Sequence, residues 1–258
     1  NTGDDIWIYS IARGALTPLT FDEASSMAPL WSPDSQQIVF ASNRSGQYNV
    51  YRRAADGTGT AEPLTESDAL TVPRSWSADG QWLQLTQCGG SFDCDLALLS
   101  LHDEPSVEPL LTAEFSEGSG ALSPDGRWIA YHSNESGDYQ IYVRPFPDVE
   151  NGRWQVSIDG GLQPVWAPDG QELFFWSLLN TTMAVVPVEG GAQFIPGTPR
   201  TLFSLAGAIY DNGQNYSLGP DGQRFLIVKQ TARDAEVEQQ IIYVHNWYQE
   251  LTRLAPVE

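Results

Sequence analysis

Serine, histidine and aspartate, the side chains of nucleophilic hydrolysis, are all present in this 258-residue chain, and their spacing decides whether they can act together. The serines that stand out are those of Ser32-Pro33-Asp34, Ser77-Ala78-Asp79 and Ser123-Pro124-Asp125. None lies in the Gly-x-Ser-x-Gly string that lifts a nucleophilic serine onto a strained turn; "EGSGALS" at 117–123 is the nearest, and its spacing is wrong. The three histidines, His102, His132 and His245, sit in distant stretches and are expected as surface or half-buried imidazoles, with no histidine metal site. Calcium is the one cofactor left open, through Asp93 and Asp95 or Asp211 with Asn212, although no EF-hand spacing occurs. Phosphate loops and kinase catalytic motifs are absent from the sequence. The residues therefore predict no catalytic set, and the chain is expected not to be an enzyme.

Two cysteines, Cys88 and Cys94, flank "GGSFD", a loop able to return two hairpin ends to within disulfide reach. A bridge would imply an oxidising compartment, outside the cytoplasm, whereas free thiols would not. Zinc is disfavoured, since two thiols with no nearby histidine supply half of a tetrahedral set. The net charge of -20, with Lys229 the only lysine, repels phosphate backbones and anionic lipid; nucleic-acid and membrane-surface roles are excluded on that ground. No apolar run is long enough for a membrane-spanning helix.

The aspartates at 34, 79, 125, 169 and 221 are 45, 46, 44 and 52 residues apart. Three residues before each stands Trp31, Trp76, Leu122, Trp166 or Leu218. Four and six residues after it come Ile38 and Phe40, Leu83 and Leu85, Ile129 and Tyr131, Leu173 and Phe175, Phe225 and Ile227. That period of two predicts a strand with one buried face, entered through a Pro-Asp-Gly turn in which serine is structural. Asn49-Val50-Tyr51 and Gln140-Ile141-Tyr142 mark a third strand, and Pro63-Leu64-Thr65 a fourth. Repeats of this length made of four short strands describe a β-propeller blade. Trp31, Trp76 and Trp166, recurring at one register, are expected in the packing between blades. The sequons at Asn43 and Asn134 come from a repeated "SN-x-SG" turn and read as hairpin chemistry. At the N-terminus, Trp7-Ile8-Tyr9 matches the third strand and Pro18-Leu19-Thr20 the fourth, so only half a unit is seen there.

The units resemble the TolB-type, WD-like propeller repeat. "YHSNESGDYQIYVRPFPDVENGRWQVSIDGGLQPVWAPDGQELFFWS", "GTPRTLF", "YSLGPDGQRFLIVKQ" and "VHNWYQELTRLAP" resemble the C-terminal propeller of bacterial receptor-like serine/threonine kinases and related regulators. The resemblance implies an all-β fold: a six-bladed propeller of four-stranded antiparallel blades with an incomplete first blade. It implies one domain over 1–258, made of a half blade at 1–20 and units at 24–66, 70–112, 116–158, 160–205 and 212–258. It also implies that the half unit is a truncation edge, that "NWYQEL" lies at the natural C-terminus, and that an effector domain lies upstream.

Loops on a rigid scaffold vary without harming the core. In a propeller the connections from second to third strand, and from the fourth to the next blade, share the face opposite the Pro-Asp turns. That topology selects Asn43, Arg44, Asp68, Arg74, Phe92, Glu114, Glu117, Asn134, Glu135, Gln163, Tyr210 and Asp211 as ligand-face candidates. The expected function is a bacterial, extracytoplasmic sensor or scaffold that binds a protein, peptide or small ligand. Its alternatives are a calcium-dependent propeller hydrolase or lactonase, and a module that assembles by strand pairing.

Overall fold

The computed structural model describes residues 4–90, 93–102, 104–189, 193–208, 214–233 and 236–244, with only the strand paths given from 229 onward. Among the described residues there is no helix, and the strands pair antiparallel. The chain divides into two compact units, Asn1–Gly120 and Ala121–Glu258.

In the first unit β1 (Trp7–Ser10) and β2 (Ala15–Pro18) form a two-stranded sheet. Two four-stranded sheets follow, each in chain order. One holds β3 (Ser26–Trp31), β4 (Gln37–Ser45), β5 (Gln47–Ala54) and β6 (Glu62–Pro63); the other holds β7 (Leu70–Trp76), β8 (Trp82–Cys88), β9 (Cys94–Ser100) and β10 (Ser106–Leu111). Strand β11 (Glu117–Leu122) spans the division and starts the sheet of β12 (Trp128–Ser133), β13 (Gln140–Pro145) and β14 (Trp154–Gln155). In the second unit β15 (Leu162–Trp166), β16 (Glu172–Ser177) and β17 (Thr182–Glu189) come next. Both β18 (Ile195–Pro196) and β19 (Arg200–Ser204) pair with β17. The last described sheet is β20 (Tyr216–Leu218), β21 (Phe225–Arg233) and β22 (Glu236–Val244).

The Ser-Pro-Asp string makes the turn between the first two strands of a sheet. Ser32 Oγ donates to Asp34 Oδ1 (2.5 Å), which also accepts Gln36 N–H (3.0 Å), while Ser32 Oγ accepts Gln37 N–H (2.9 Å). Ser77 with Asp79 and Ser123 with Asp125 repeat the pattern. Each hydroxyl is thereby committed to the turn, which keeps it from acting as a nucleophile. The residue after the aspartate is left-handed, with φ near +70° at Gly80, Gly126 and Gly170, and Ser35 adopts the same region at +59°.

Packing is between sheets, and each central strand gives alternate residues to opposite neighbours. Ile38 and Phe40 pack with Ile6 and Leu19, whereas Val39 joins Leu83, Leu85, Ala97 and Leu99. In the second unit Leu173 and Phe175 meet Ala130, Ile141 and Val143, and Phe174 and Trp176 meet Tyr216 and Phe225. Both faces of these strands are buried, since a sheet stacked between neighbours hides both sides. Each fully buried large side chain contributes about 2 kcal/mol of transfer free energy.

Two expectations are corrected. The third-strand register of the half unit is two residues earlier than Trp7-Ile8-Tyr9. Ile6 N–H donates to Thr20 Oγ1 (2.8 Å) as Val50 N–H does to Thr65 Oγ1 (2.9 Å) and Ile141 N–H to Ser157 Oγ (2.8 Å). The recurring tryptophan is also not uniformly packed. Trp166 is buried and its indole N–H donates to Ala121 O (3.0 Å) on the first strand of the preceding sheet, but Trp31 is 51% exposed. The preceding sheet, β1–β2, offers no first strand among the described residues for Trp31 to lie on.

Candidate functional site

The first strands of successive sheets share a distortion. Ladder register shifts between Met27 and Leu30, Pro73 and Ser75, and Leu162 and Val165. Ala28, Ser119 and Gln163 have φ of +52°, +48° and +54°. Together with Pro73 and Asn215 they occupy one repeat position, three residues before Trp31, Trp76, Leu122, Trp166 or Leu218. A left-handed conformation costs a side-chain-bearing residue on the order of 1–2 kcal/mol, and a bulge re-aims the side chain it carries. Such strain, repeated at one register, marks these edges as candidate functional positions.

Buried polar groups gather there. In the second unit Gln163 Nε2 donates to Asn215 Oδ1 (2.7 Å), and Gln163 Oε1 accepts Asn215 N–H (3.2 Å). Tyr216 OH donates to Gln163 O (2.5 Å), and burial pushes that phenol well above its ordinary pKa. In the first unit Thr71, Glu117 and Ser119 are buried, and Arg74 Nε donates to Thr86 Oγ1 (3.3 Å). Gly120 is held without a side chain, since a Cβ there would fall on the Gln84 carboxamide.

The other candidates lie on the connections. Asn43 and Arg44 share the β4–β5 hairpin, and Asn43 Oδ1 accepts Ser25 N–H (2.9 Å). Arg44 is ion-paired to Asp22 (3.3 Å) and lies over the Tyr51 ring at 4.8 Å. Asn134 and Glu135 occupy the equivalent β12–β13 hairpin, where Glu135 is ion-paired to Arg153, itself over the Tyr142 ring at 5.6 Å. Burial raises the Tyr142 hydroxyl pKa. Asp68 and Glu114 are exposed. Phe92, Tyr210 and Asp211 lie outside the described residues, as do Asn212, His245 and Trp247. Sequence reasoning missed Asp22, Arg153 and Asn215; the last could have been found by its repeat position, shared with Gln163.

Cys88 and Cys94 are joined by a disulfide at the end of the β8–β9 ladder, where they are cross-strand partners. His102 lies edge-on to Trp82 (5.6 Å) and His132 to Tyr139 (5.2 Å). Among the described residues no three His, Cys, Asp or Glu side chains converge as a metal site, Asp93 and Asp95 included.

No family model matches the chain. It is 27% identical over 166 residues to the uncharacterized peptidase YuxL of Bacillus subtilis, covering 50% of this chain and 25% of that protein. It is 28% identical to the uncharacterized protein Atu1656 of Agrobacterium fabrum, covering 67% and 59%. With the tricorn protease homolog 1 of Streptomyces coelicolor it shares 26%, covering 64% and 16%. The chain thus spans only a quarter to three fifths of the first two relatives. Among solved structures, TolB of Acinetobacter baumannii superposes with a TM-score of 0.70 at 17% identity, over 92% of this chain and 56% of that one. The periplasmic gluconolactonase of Pseudomonas aeruginosa gives 0.61 at 14%, over 95% and 80%. An oligogalacturonate lyase in complex with manganese gives 0.58 at 13%, over 96% and 84%. The expectation that the chain is not an enzyme is corrected by this company, since a gluconolactonase, a lyase and peptidase-named proteins stand among its likenesses. That expectation rested on motif spacing along the sequence, which does not test residues that the fold brings together. The chain has a TolB-like β-propeller fold.

Proposed function

We propose that the chain is the propeller of a hydrolytic protein of peptidase type, in which it receives and orients substrate for catalytic groups of a neighbouring domain. The observation that carries the reading is the left-handed strain repeated at one first-strand position, at Ala28 and Ser119 in the first unit and, beside a buried polar cluster, at Gln163 in the second. Its support is the likeness to proteins named as a peptidase and a protease, which extend far beyond the matched segment. In this proposal the units at 24–66, 70–112, 116–158, 160–205 and 212–258, with the outer strands at 1–20, make six blades of one domain. The C-terminal propellers of receptor-like kinases would be built in the same manner. The Cys88–Cys94 bridge favours an extracytoplasmic site of action.

The test is cleavage of a peptide amide panel by the whole protein that contains this chain, with and without the propeller. Hydrolysis that falls when the propeller is removed is expected; cleavage indifferent to its removal would overturn the proposal.

A second reading is lactone hydrolysis by the propeller itself, favoured by the gluconolactonase likeness over nearly the whole chain. Turnover of aldonolactones by the 258-residue chain alone, lost with chelator, would select it over the first.

A further inference from the structure

Three connections meet at one end of the second unit: the β12–β13 hairpin around 134–139, the link from β14 to β15 around 156–161, and the β16–β17 hairpin around 178–181. Backbone bonds tie them together. Gly161 N–H donates to Tyr139 O (2.8 Å) and Leu179 N–H to Asp159 O (3.3 Å). Gly160, at φ +74°, lies so close to Leu178 and to the Tyr139 carbonyl that a Cβ would touch both, at 3.2 and 3.5 Å. The edge of His132 against Tyr139 supports the first connection from below.

On this fixed base stand three aliphatic side chains. Ile158 is 69% exposed, Leu179 74% and Leu178 38%. Folding gains nothing from leaving them in water, and contiguous exposed apolar groups with a polar rim mark interaction sites. The rim is acidic. Asp138 and Asp159 are exposed, and Arg153, the nearby base, is committed to Glu135. The chain as a whole carries -20.

We propose that this three-loop surface binds extended peptide segments in which aliphatic residues are flanked by lysine or arginine. The aliphatic side chain would lie against Ile158, Leu178 and Leu179, and the cation would face Asp138 and Asp159. Charge complementarity selects this occupant over an acidic peptide or an anionic membrane. The assignment rests on the peptidase reading for its role, as the place where substrate of that class is captured, but the binding itself needs no catalysis.

The experiment is fluorescence anisotropy with three labelled hexapeptides, one with a Lys-Leu-Leu-Lys centre, one with glutamate for lysine and one with serine for leucine. Wild type should bind the first about tenfold or more tightly than either control, a difference of about 1.4 kcal/mol. The Ile158→Ser/Leu179→Ser variant should lose that preference for leucine, and Asp138→Asn/Asp159→Asn the preference for lysine and most of the salt dependence. All four positions are exposed, so these variants leave the core intact, which a thermal melt verifies. Equal binding of the three peptides, no binding at millimolar peptide, or variants that bind as wild type would each overturn the assignment. Peptide cleavage by the whole protein that contains this chain is followed in parallel, with the same variants. Cleavage unaffected by the variants rejects this surface and keeps the hydrolase, whereas variant-sensitive binding without any cleavage keeps the surface and rejects the hydrolase.

Discussion

The side chain of Gln163, on the bulged first strand β15, clasps Asn215, the residue before β20, donating to its Oδ1 and accepting its backbone N–H. Both residues are buried. Asn215→Ala removes the acceptor of Gln163 Nε2 and keeps the backbone N–H bond, and Gln163→Ala removes both bonds, each at a cost of about 1–3 kcal/mol in a buried site. The double variant should cost at least about 1 kcal/mol less than the sum of the singles, read from urea denaturation midpoints. Additive losses would show that the clasp is not the unit that holds this edge.

Ser35 is the turn residue that departs from glycine while keeping a left-handed backbone. Nothing in the turn bonds its side chain among the hydrogen bonds that close it. Ser35→Gly should therefore stabilise the protein by about 0.5–1 kcal/mol, the relief of left-handed strain exceeding the added freedom of the unfolded chain. A lowered thermal midpoint would contradict this account of the turn.

Acid should loosen the turns. The Ser32 hydroxyl and the Gln36 N–H hold Asp34 below the usual carboxylate range, and Ser77 with Gln81 does so for Asp79. At Asp125 burial pushes upward but is outweighed by Ser123 and Arg127. A depressed folded pKa gives stability that is present above the unfolded value, near pH 4, and lost as pH falls through the folded one. Stability measured from pH 5 to pH 2 should decline, and Ser32→Ala, Ser77→Ala and Ser123→Ala together should flatten that decline. An unchanged acid limb would assign it to other carboxylates.

Phe194 fills a box of three tryptophans, with ring centroids 5.3 Å from Trp128, 5.3 Å from Trp154 and 6.4 Å from Trp166. It is 4% exposed. Phe194→Ala should cost about 3–5 kcal/mol and shift tryptophan emission to the red as water reaches the indoles. A loss below about 1 kcal/mol would mean that the box closes on itself.

What the sequence made legible is what recurs locally. Ser-x-Asp followed by alternating apolar residues placed the first two strands of three sheets, because that turn is satisfied by side chains two to five residues away, and Ala167-Pro168-Asp169 and Gly219-Pro220-Asp221 marked two more. The half unit was misread by two residues, since Trp7-Ile8-Tyr9 imitates the apolar texture of a third strand while the decisive signal is a polar one. Asp5 accepts from Thr20, as Asn49 does from Thr65. Trp31 was misjudged because its burial depends on a strand in another sheet. The apolar surface of Ile158, Leu178 and Leu179 was invisible for the same reason, as only the fold brings residues some twenty positions apart onto one base.

The two ends of each sheet are thus specified over different distances. The Ser-Pro-Asp end closes within six residues and needs no information from elsewhere, so a sheet can be copied with its turn intact. The opposite end is closed by bonds such as Ser25 to Asn43 and Gly161 to Tyr139, which span 18 and 22 residues. A combinatorial library confined to the exposed positions 136–138, 158–159 and 178–180 would therefore sample new recognition chemistry while inheriting every turn that sets the register, which makes this end of the chain a natural substrate for diversification.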